Sequence, residues 1–520
     1  MKQDDASSNQ CSSNDLISQI IKARGYDAQS LITDLNLLPD ETLFANIDKV
    51  ENRIRTALYA NEPLVIFGHD DPDGITSTFI LYNFLTSCGY QKHCYYIPNR
   101  NLFPHGIQSD FINFVREKGI RLIITVDNGI AAYDGVTQLN AMGCEVIITD
   151  HHIVQPDVLP PAYTIMNPQL PECQYPFKQL AGAGVVLMLI RYLSRLWNHP
   201  VEPVNYFWTA VGSLADKVPM IGLNKIIVRY VLEHFAEMQD ETVNFLLRSY
   251  NRLNTQTDIF NFLHNTAHLI ANGREADGQH TAMRFLLQSG EAKAQLFEEL
   301  EHQKYEWESE LNRIFKFMDT LATDFVGNWF VYYDDEDVIP YPLLGTAATY
   351  IVNKLHIPTL ILKNHNGNTV CEGRCSEDFN IMSAFTHCKK HLKQFGGHRQ
   401  AAGFTMSYNH YDAFLECFNN YLQKNYYPDN SAKISYDAEA LVTDLNYDNW
   451  RKLEILLPWG QLNPEPTILI RNTSKAEINS CISLDNNGKE LPSKEKGDAV
   501  VLWKTPNLVK VLSWQPHFKE

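Results

Sequence analysis

The sequence predicts an α/β protein: a doubly wound parallel sheet, a long helix leading to a second, smaller α/β domain, and a β-rich domain at the C-terminal end. Three observations predict it. Between residues 64 and 166, short β-branched runs alternate with amphipathic stretches, as in a parallel sheet covered on both faces. Glu291 to Leu321 carries an unbroken polar–apolar helical pattern long enough for a strut. After Asn430, short alternating strands and Pro or Asn turns take over.

Residues 1–15, MKQDDASSNQCSSND, are polar and acidic and read as a disordered tail, without the charged-then-apolar pattern of a secretory signal. Residues 16–60 read as a helical extension. Leu64–Phe67 opens the sheet, followed by a helix through ITSTFILYNFL. Cys94–Ile97, Arg121–Val126, Glu145–Thr149 and Tyr163–Met166 continue it, with helices at Gln108–Glu117 and Ala131–Met142 between them. From Leu180 to Leu287 the chain is mostly helical. The expected main domain is therefore 61–290, the connecting helix 291–321 and the second domain 322–428. The second domain has strand-like FVYY and LIL, helix AATYIVNKL and a glycine turn, GGHRQAAGF. Residues 429–520 form the β-rich domain, with Tyr447–Leu456 as its one good helix.

At 520 residues the chain is too long for one core. With 44% hydrophobic and 20% charged residues it matches soluble globular proteins, and no apolar run is long enough for a bilayer. A cytoplasmic protein without a membrane partner is expected. Ten cysteines without a Cys-x-x-Cys argue for reduced thiols and against structural zinc. The net charge of −17 opposes a surface-wide nucleic-acid binder, but leaves room for a local basic groove or for cations in an acidic site.

Acids and histidines gather at the carboxyl ends of the expected strands, where open parallel sheets bind ligands. His69, Asp71 and Asp73 follow LVIF in GHDDPDGITS; Asp127 follows RLIITV; Asp150, His151 and His152 follow EVIIT. Asp216, in LADKVP, ends a helical run. An isolated Asp-x-Asp-Gly is usually a turn, but three strands ending this way form a joint pattern. Converging carboxylates raise one another's pKa unless cations enter. Carboxylate and imidazole ligands suit manganese, magnesium or zinc. One aspartate between two ions gives the two-metal arrangement of phosphoryl transfer. Asp70 reads as solvated.

These motifs carry a family resemblance. HDDPDG, VDNG, Asp150-His151-His152 and ADKVP stand in the order of the DHH phosphoesterase motifs. NPQLPECQYPFKQLAGAGV, GGHRQAAGF and PWGQLNPEP resemble the following segment, the DHH-associated domain and the start of the oligonucleotide-binding (OB) domain of RecJ single-strand-specific exonucleases. The likeness runs from Leu64 to Pro466. It implies two divalent ions, Mn2+ or Mg2+: one held by Asp71, Asp127 and His69, the other by Asp73, Asp127, His151 and Asp216, with Asp127 bridging. It places His152 beside the scissile phosphate and has Asp150 orient histidine. It implies phosphate contacts from Arg274, Arg374, Gly396, Gly397 and His398, helped by the basic run KKHLKQFGGHR. A groove between two domains would suit one flexible strand. Trp450, Trp459, Trp503 and Trp514 are candidate stacking platforms, though core packing suits each one separately.

The resemblance implies 5′-to-3′ hydrolysis of single-stranded DNA, more than RNA, in repair or recombination, with a single-strand-binding protein or helicase as candidate partners. Two alternatives stand beside it: a phosphodiesterase for short RNA or signalling dinucleotides, and a non-catalytic binding scaffold. The chain also departs from the family. His69 stands where bacterial RecJ proteins begin the first motif with aspartate. Glu372 and Cys375 stand where serines flank the phosphate-binding arginine, which points to an altered dependence on a 5′-phosphate. The tail after Pro466 is short for a full OB barrel.

Overall fold

The computed structural model describes residues 15–516, apart from residues 28–30, 100–105, 155–157, 239, 251–252, 276, 324, 366, 377, 398, 427–434, 486–490 and 493–494. All but Asp15 of the expected tail, and His398, thus lie outside the described residues. The chain forms two compact units: Met1–Glu301 with Ile434–Glu520, and His302–Lys433.

The first unit is built on β1 (Leu64–Phe67), β2 (His93–Tyr96), β3 (Leu122–Val126), β4 (Glu145–Thr149) and β5 (Thr164–Met166). All pairs are parallel, in the order β2-β1-β3-β4-β5. Strands β1 and β3 are buried at every residue, which is why LVIF and LIITV lack polar alternation. Helices α1 (Leu16–Ala23) and α2 (Ile47–Ala60) precede the sheet, and α3 (Pro72–Ser87), α4 (Ser109–Lys118) and α5 (Tyr133–Ala141) connect its strands. A helical layer follows: α6 (Gly182–Trp197), α7 (Val204–Ala215), α8 (Gly222–Glu233), α9 (Glu241–Leu247), α10 (Gln256–Ile270) and α11 (Thr281–Leu287). Helix α3 is buried along most of its length because it packs against the sheet on one side and α6 and α7 on the other.

Helix α12 (Gly290–Ala322) is continuous, and its last turns, through Ile314 and Met318, belong to the core of the second unit. That unit holds β6 (Phe330–Asp334), α13 (Leu344–Leu355), β7 (Thr359–His365), β8 (Asn368–Arg374), α14 (Ile381–His387), β9 (Gln394–Gly397), β10 (Ala401–Met406) and α15 (Tyr411–Asn425). Its sheet order is β6-β7-β8-β10-β9. The period-two alternation of β7 divides the core: Ile361 joins α12 and α13, whereas Leu360 and Leu362 join α14 and α15.

The C-terminal part of the first unit contains β11 (Ala438–Ala440), α16 (Tyr447–Leu453), β12 (Thr467–Thr473), α17 (Lys475–Cys481), β13 (Ser483–Leu484), β14 (Gly497–Thr505) and β15 (Leu508–Pro516), with one sheet in the order β11-β12-β14-β15-β13. Helix α17 is an addition to the expected tail, whose one good helix was Tyr447–Leu456. Ser474 and Glu477 close a capping box at its start. The N-terminal extension fastens this part: α1 packs on β11 and α16, and Arg24 grips Asp437 through two bonds of 2.8 and 2.9 Å. Among the described residues no helix is long and apolar enough to cross a membrane.

Candidate metal centre

Strand order reverses between β1 and β3, so the connections leaving their carboxyl ends diverge and open a crevice. The loop after β1 fills one side. Asp71 caps α3 by accepting from the Gly74 amide at 2.9 Å, and Pro72 supplies the first helical position. Asp73 then projects from the first turn. It is 1% exposed and accepts from the Gly182 and Ala183 amides at 2.6 and 2.9 Å, capping α6 from another part of the chain. Asp127, just past β3, has φ +58°, a left-handed conformation that aspartate tolerates.

Asp127 faces both ways. Its Oδ2 lies 3.9 Å from Nδ1 of His69, which is 2.9 Å from Asp71 Oδ2. Its Oδ1 lies 3.1 Å from Nε2 of His151, which is 3.7 Å from Asp216 Oδ2 and 3.9 Å from Asp73 Oδ2. Two sets of ligand atoms result, His69–Asp71–Asp127 and Asp73–His151–Asp216, each within 4.8 Å; Asp127, His151 and His152 form a third.

Burial, then repulsion from Asp73, Asp71 and Asp150, holds the Asp127 carboxyl well above the usual range. Burial also raises Asp73, and burial with Asp73 and Asp71 pushes Asp216 up to about 8. Burial lowers His151. Asp150 is arranged differently. Burial pushes its carboxyl up, but the His152 bond, the Ile130 amide and both histidine charges bring it below the ordinary value. Its Oδ1 accepts from the His151 and His152 amides and from His152 Nδ1 at 2.7 Å. That bond raises His152 to about 9 and leaves its Nε2 edge toward the half-exposed side.

These residues fit divalent cations. Among the described residues, the ion-pair partners of Asp73, Asp127 and Asp216 are histidines, not lysines or arginines. For the buried Asp73 and Asp127, being left this way is costly until positive charge arrives. The donors are oxygen and imidazole nitrogen, the set that manganese and magnesium accept.

Two expected roles change. Asp70 is fully buried rather than solvated, and its Oδ2 accepts from Arg274 Nε at 2.8 Å. Arg274, expected at a substrate phosphate, also donates to the Asp70 and Ala271 carbonyls, so it holds the loop between His69 and Asp71. In the second unit, Arg374 donates to Glu372 at 2.9 Å and to the Gly373 carbonyl. Gly396 and Gly397 are not in a free turn: they belong to edge strand β9 and pair with Gly403 and Ala402. Gly397, at φ +136°, has no room for a Cβ, but the space around Gly396 is open. Trp450 and Trp503 pack edge to face in the core, at 5.3 Å.

Comparison with known proteins places this geometry. Residues 63–209 match the DHH family, N-terminal domain. The single-stranded-DNA-specific exonuclease RecJ of Bacillus subtilis is 28% identical over 484 residues, covering 89% of this chain and 59% of that protein. The chain is similar to RecJ exonucleases over most of its length. RecJ of Haemophilus influenzae is 25% identical, over 88% of this chain and 83% of its own. The crystal structure of Thermus thermophilus RecJ in complex with Mn2+ superposes with a TM-score of 0.74 at 21% identity, covering 97% of this chain and 76% of that one.

The crevice depends on two glycines whose role the motifs do not reveal. A Cβ on Gly182 would fall 2.5 Å from the Asp127 Cβ, and one on Gly212 would fall 2.7 Å from Asp73 Oδ1. Glycine there lets α6 and α7 approach the acids. The available signal was small residues, in LAGAGV and AVGSLA, interrupting otherwise apolar helices.

Proposed function

We propose that this chain is a metal-dependent exonuclease that hydrolyses single-stranded DNA from the 5′ end, as part of repair or recombination. One observation carries the reading: the two Asp127 oxygens point to two separate sets of ligands. His69, Asp71 and Asp127 would hold one ion, and Asp73, Asp127, His151 and Asp216 the other. Such a pair supplies an activated water and neutralises charge at phosphorus and the departing oxygen. The chain's own groups do the rest. Asp127 fixes the spacing between the two sets. Asp73 is immobilised by the α6 amides, so its oxygens need little reorganisation. Asp150 holds the proton on His152 Nδ1 and favours the doubly protonated ring. Nε2 can then donate to a non-bridging phosphate oxygen or to the leaving 3′-oxygen. Arg274 and Asp70 keep the β1 loop in register. The names of the RecJ relatives support single-stranded DNA as substrate. Single-strand-binding protein or helicase partners follow from the same reading.

End-labelled single strands of DNA and RNA, incubated with Mn2+ or Mg2+, test it. Stepwise shortening of DNA from the 5′ end is expected, with a loss of about 10³-fold or more in Asp127→Ala. Undiminished activity in that variant overturns the bridging role. Cleavage of dinucleotides alone overturns the substrate.

A further inference from the structure

A mostly apolar cavity of about 620 Å³ lies within the first unit, in the ~300–1,000 Å³ range of pockets that hold small organic groups. Its walls are the C-terminal ends of α7 and α10 and the loop carrying Trp459. The wall residues are chain neighbours of the acids. Pro72 separates Asp71 from Asp73, and Ala215 and Lys217 flank Asp216. The far wall, Ala271, accepts from Arg274, the residue that clamps the β1 loop.

The lining is unusual for a cavity whose walls adjoin three carboxylates in the chain. It offers Leu214, Val218 and Ala267, the Trp459 indole, and the rings of His264 and His268. Trp459 is 7% exposed, and its Nε1 has no hydrogen-bond partner among the described residues. The core indoles Trp208 and Trp503 share that state, so what sets Trp459 apart is the open cavity beside it. Burial, and the neighbouring His268, lower His264 to about 4, so its ring is neutral and presents one donor and one acceptor. Lys217 is exposed at the rim, a cation placed for a phosphodiester.

We propose that this cavity receives the nucleobase adjoining the scissile phosphate. The occupant is a flat heteroaromatic ring tethered to a phosphodiester. The ring packs against Leu214 and Trp459, its edge meets His264 or the indole N–H, and the backbone passes Lys217 toward the acids. Recognition is by shape and stacking, and so tolerates any base sequence. The pocket would set which phosphate enters the crevice, because a base seated there fixes the register of the strand. The inference rests on the hydrolysis of single strands proposed above.

A scan with abasic residues tests it. Single strands carrying one abasic site at successive positions are digested by the full-length protein with Mn2+. Slowing of roughly five- to hundredfold, the worth of one base–aromatic stack, is expected when the missing base is next to the scissile bond. Ala271→Phe, which fills the cavity, should slow the intact strand and erase that positional effect. Should that variant fail to fold, 2-aminopurine at the sensitive position gives an independent readout in Asp127→Asn: its emission should be quenched on binding. A flat abasic profile with unquenched 2-aminopurine overturns the pocket while leaving the exonuclease standing. Absence of cleavage of every single strand overturns both.

Discussion

The two units carry charge at their sheet ends in opposite ways. In the first unit, Asp73, Asp127 and Asp216 converge on histidines, and burial with repulsion from neighbouring aspartates raises all three carboxyls. In the second unit, Arg374 and Glu372 sit two residues apart on β8 and neutralise each other at 2.9 Å. The first arrangement is electrostatically incomplete and is finished by an external cation. The second is complete already, so a ligand anion must compete with an internal one. The first cluster therefore gains stability when loaded, whereas any anion that meets Arg374 competes with Glu372.

The largest expected effect, after loss of Asp127 itself, comes from Gly182→Ala. The new methyl would lie 2.5 Å from the Asp127 Cβ and 2.7 Å from its Oδ1. Alanine suits a helix, so the penalty falls on the acid. Mn2+-dependent hydrolysis should drop roughly 100-fold, the cost of ~1 Å misplacement, while the circular dichroism spectrum keeps its native shape. Activity within a few-fold of the parent breaks the claim that close approach of α6 sets the bridging acid.

Stability against pH is next. A carboxyl whose folded pKa is raised contributes stability below its unfolded pKa, and that contribution is lost as pH rises through the folded value. For Asp216 the window runs from the ordinary 3.8 to about 8, and Asp73 and Asp127 act in the same direction. His152, raised to about 9 by Asp150, also loses its contribution as pH rises. His151 opposes them, because burial lowers it. Metal-free protein should therefore melt several degrees lower at pH 8 than at pH 5.5. Saturating Mn2+ at pH 8 should recover the difference by mass action. The same ramp on a Glu372→Gln variant should be indistinguishable from the parent, because Glu372 belongs to the second unit and not to the crevice acids. A metal-free melting temperature that rises with pH would contradict the electrostatic reading of the crevice.

Much of this contrast was legible in the residues. Alternation fixed the five parallel strands, and the rule that ligands gather at strand ends picked out His69, Asp71, Asp73, Asp127, Asp150, His151 and His152 before any distances were known. Neighbours distant in sequence were not legible. Asp70 reads as a spare acid in HDDPDG, and only the return of Arg274, 204 residues later, makes it a buried anchor. Arg274 itself is a basic residue in a loop; its donors point inward because the β1 loop must be held. GGHRQAAGF reads as a turn since two glycines permit one, whereas pairing with β10 turns them into an edge strand. Capping of α6 by Asp73 joins positions 109 and 110 residues apart, beyond any local pattern.

The smallest expected effect concerns Glu372, and it sharpens the comparison most. If the Arg374–Glu372 pair gates the second site, freeing the guanidinium should raise the preference for a 5′-phosphoryl end over a 5′-hydroxyl end. Both side chains are partly exposed, at 25% and 33%, so the pair is screened and is worth only ~0.2–1 kcal/mol. Glu372→Ser should therefore increase the rate ratio of 5′-phosphoryl to 5′-hydroxyl strands by about two- to fivefold. Glu372→Gln should do the same, because it removes the charge but keeps the volume. Salt supplies the second axis. Rising ionic strength weakens the internal pair in the parent, so the parent's ratio should fall less steeply with salt than that of either variant. A strong phosphate requirement already present in the parent, unchanged in both variants, would mean that Glu372 turns away when a strand binds, and that the neutral pair is a resting state rather than a gate.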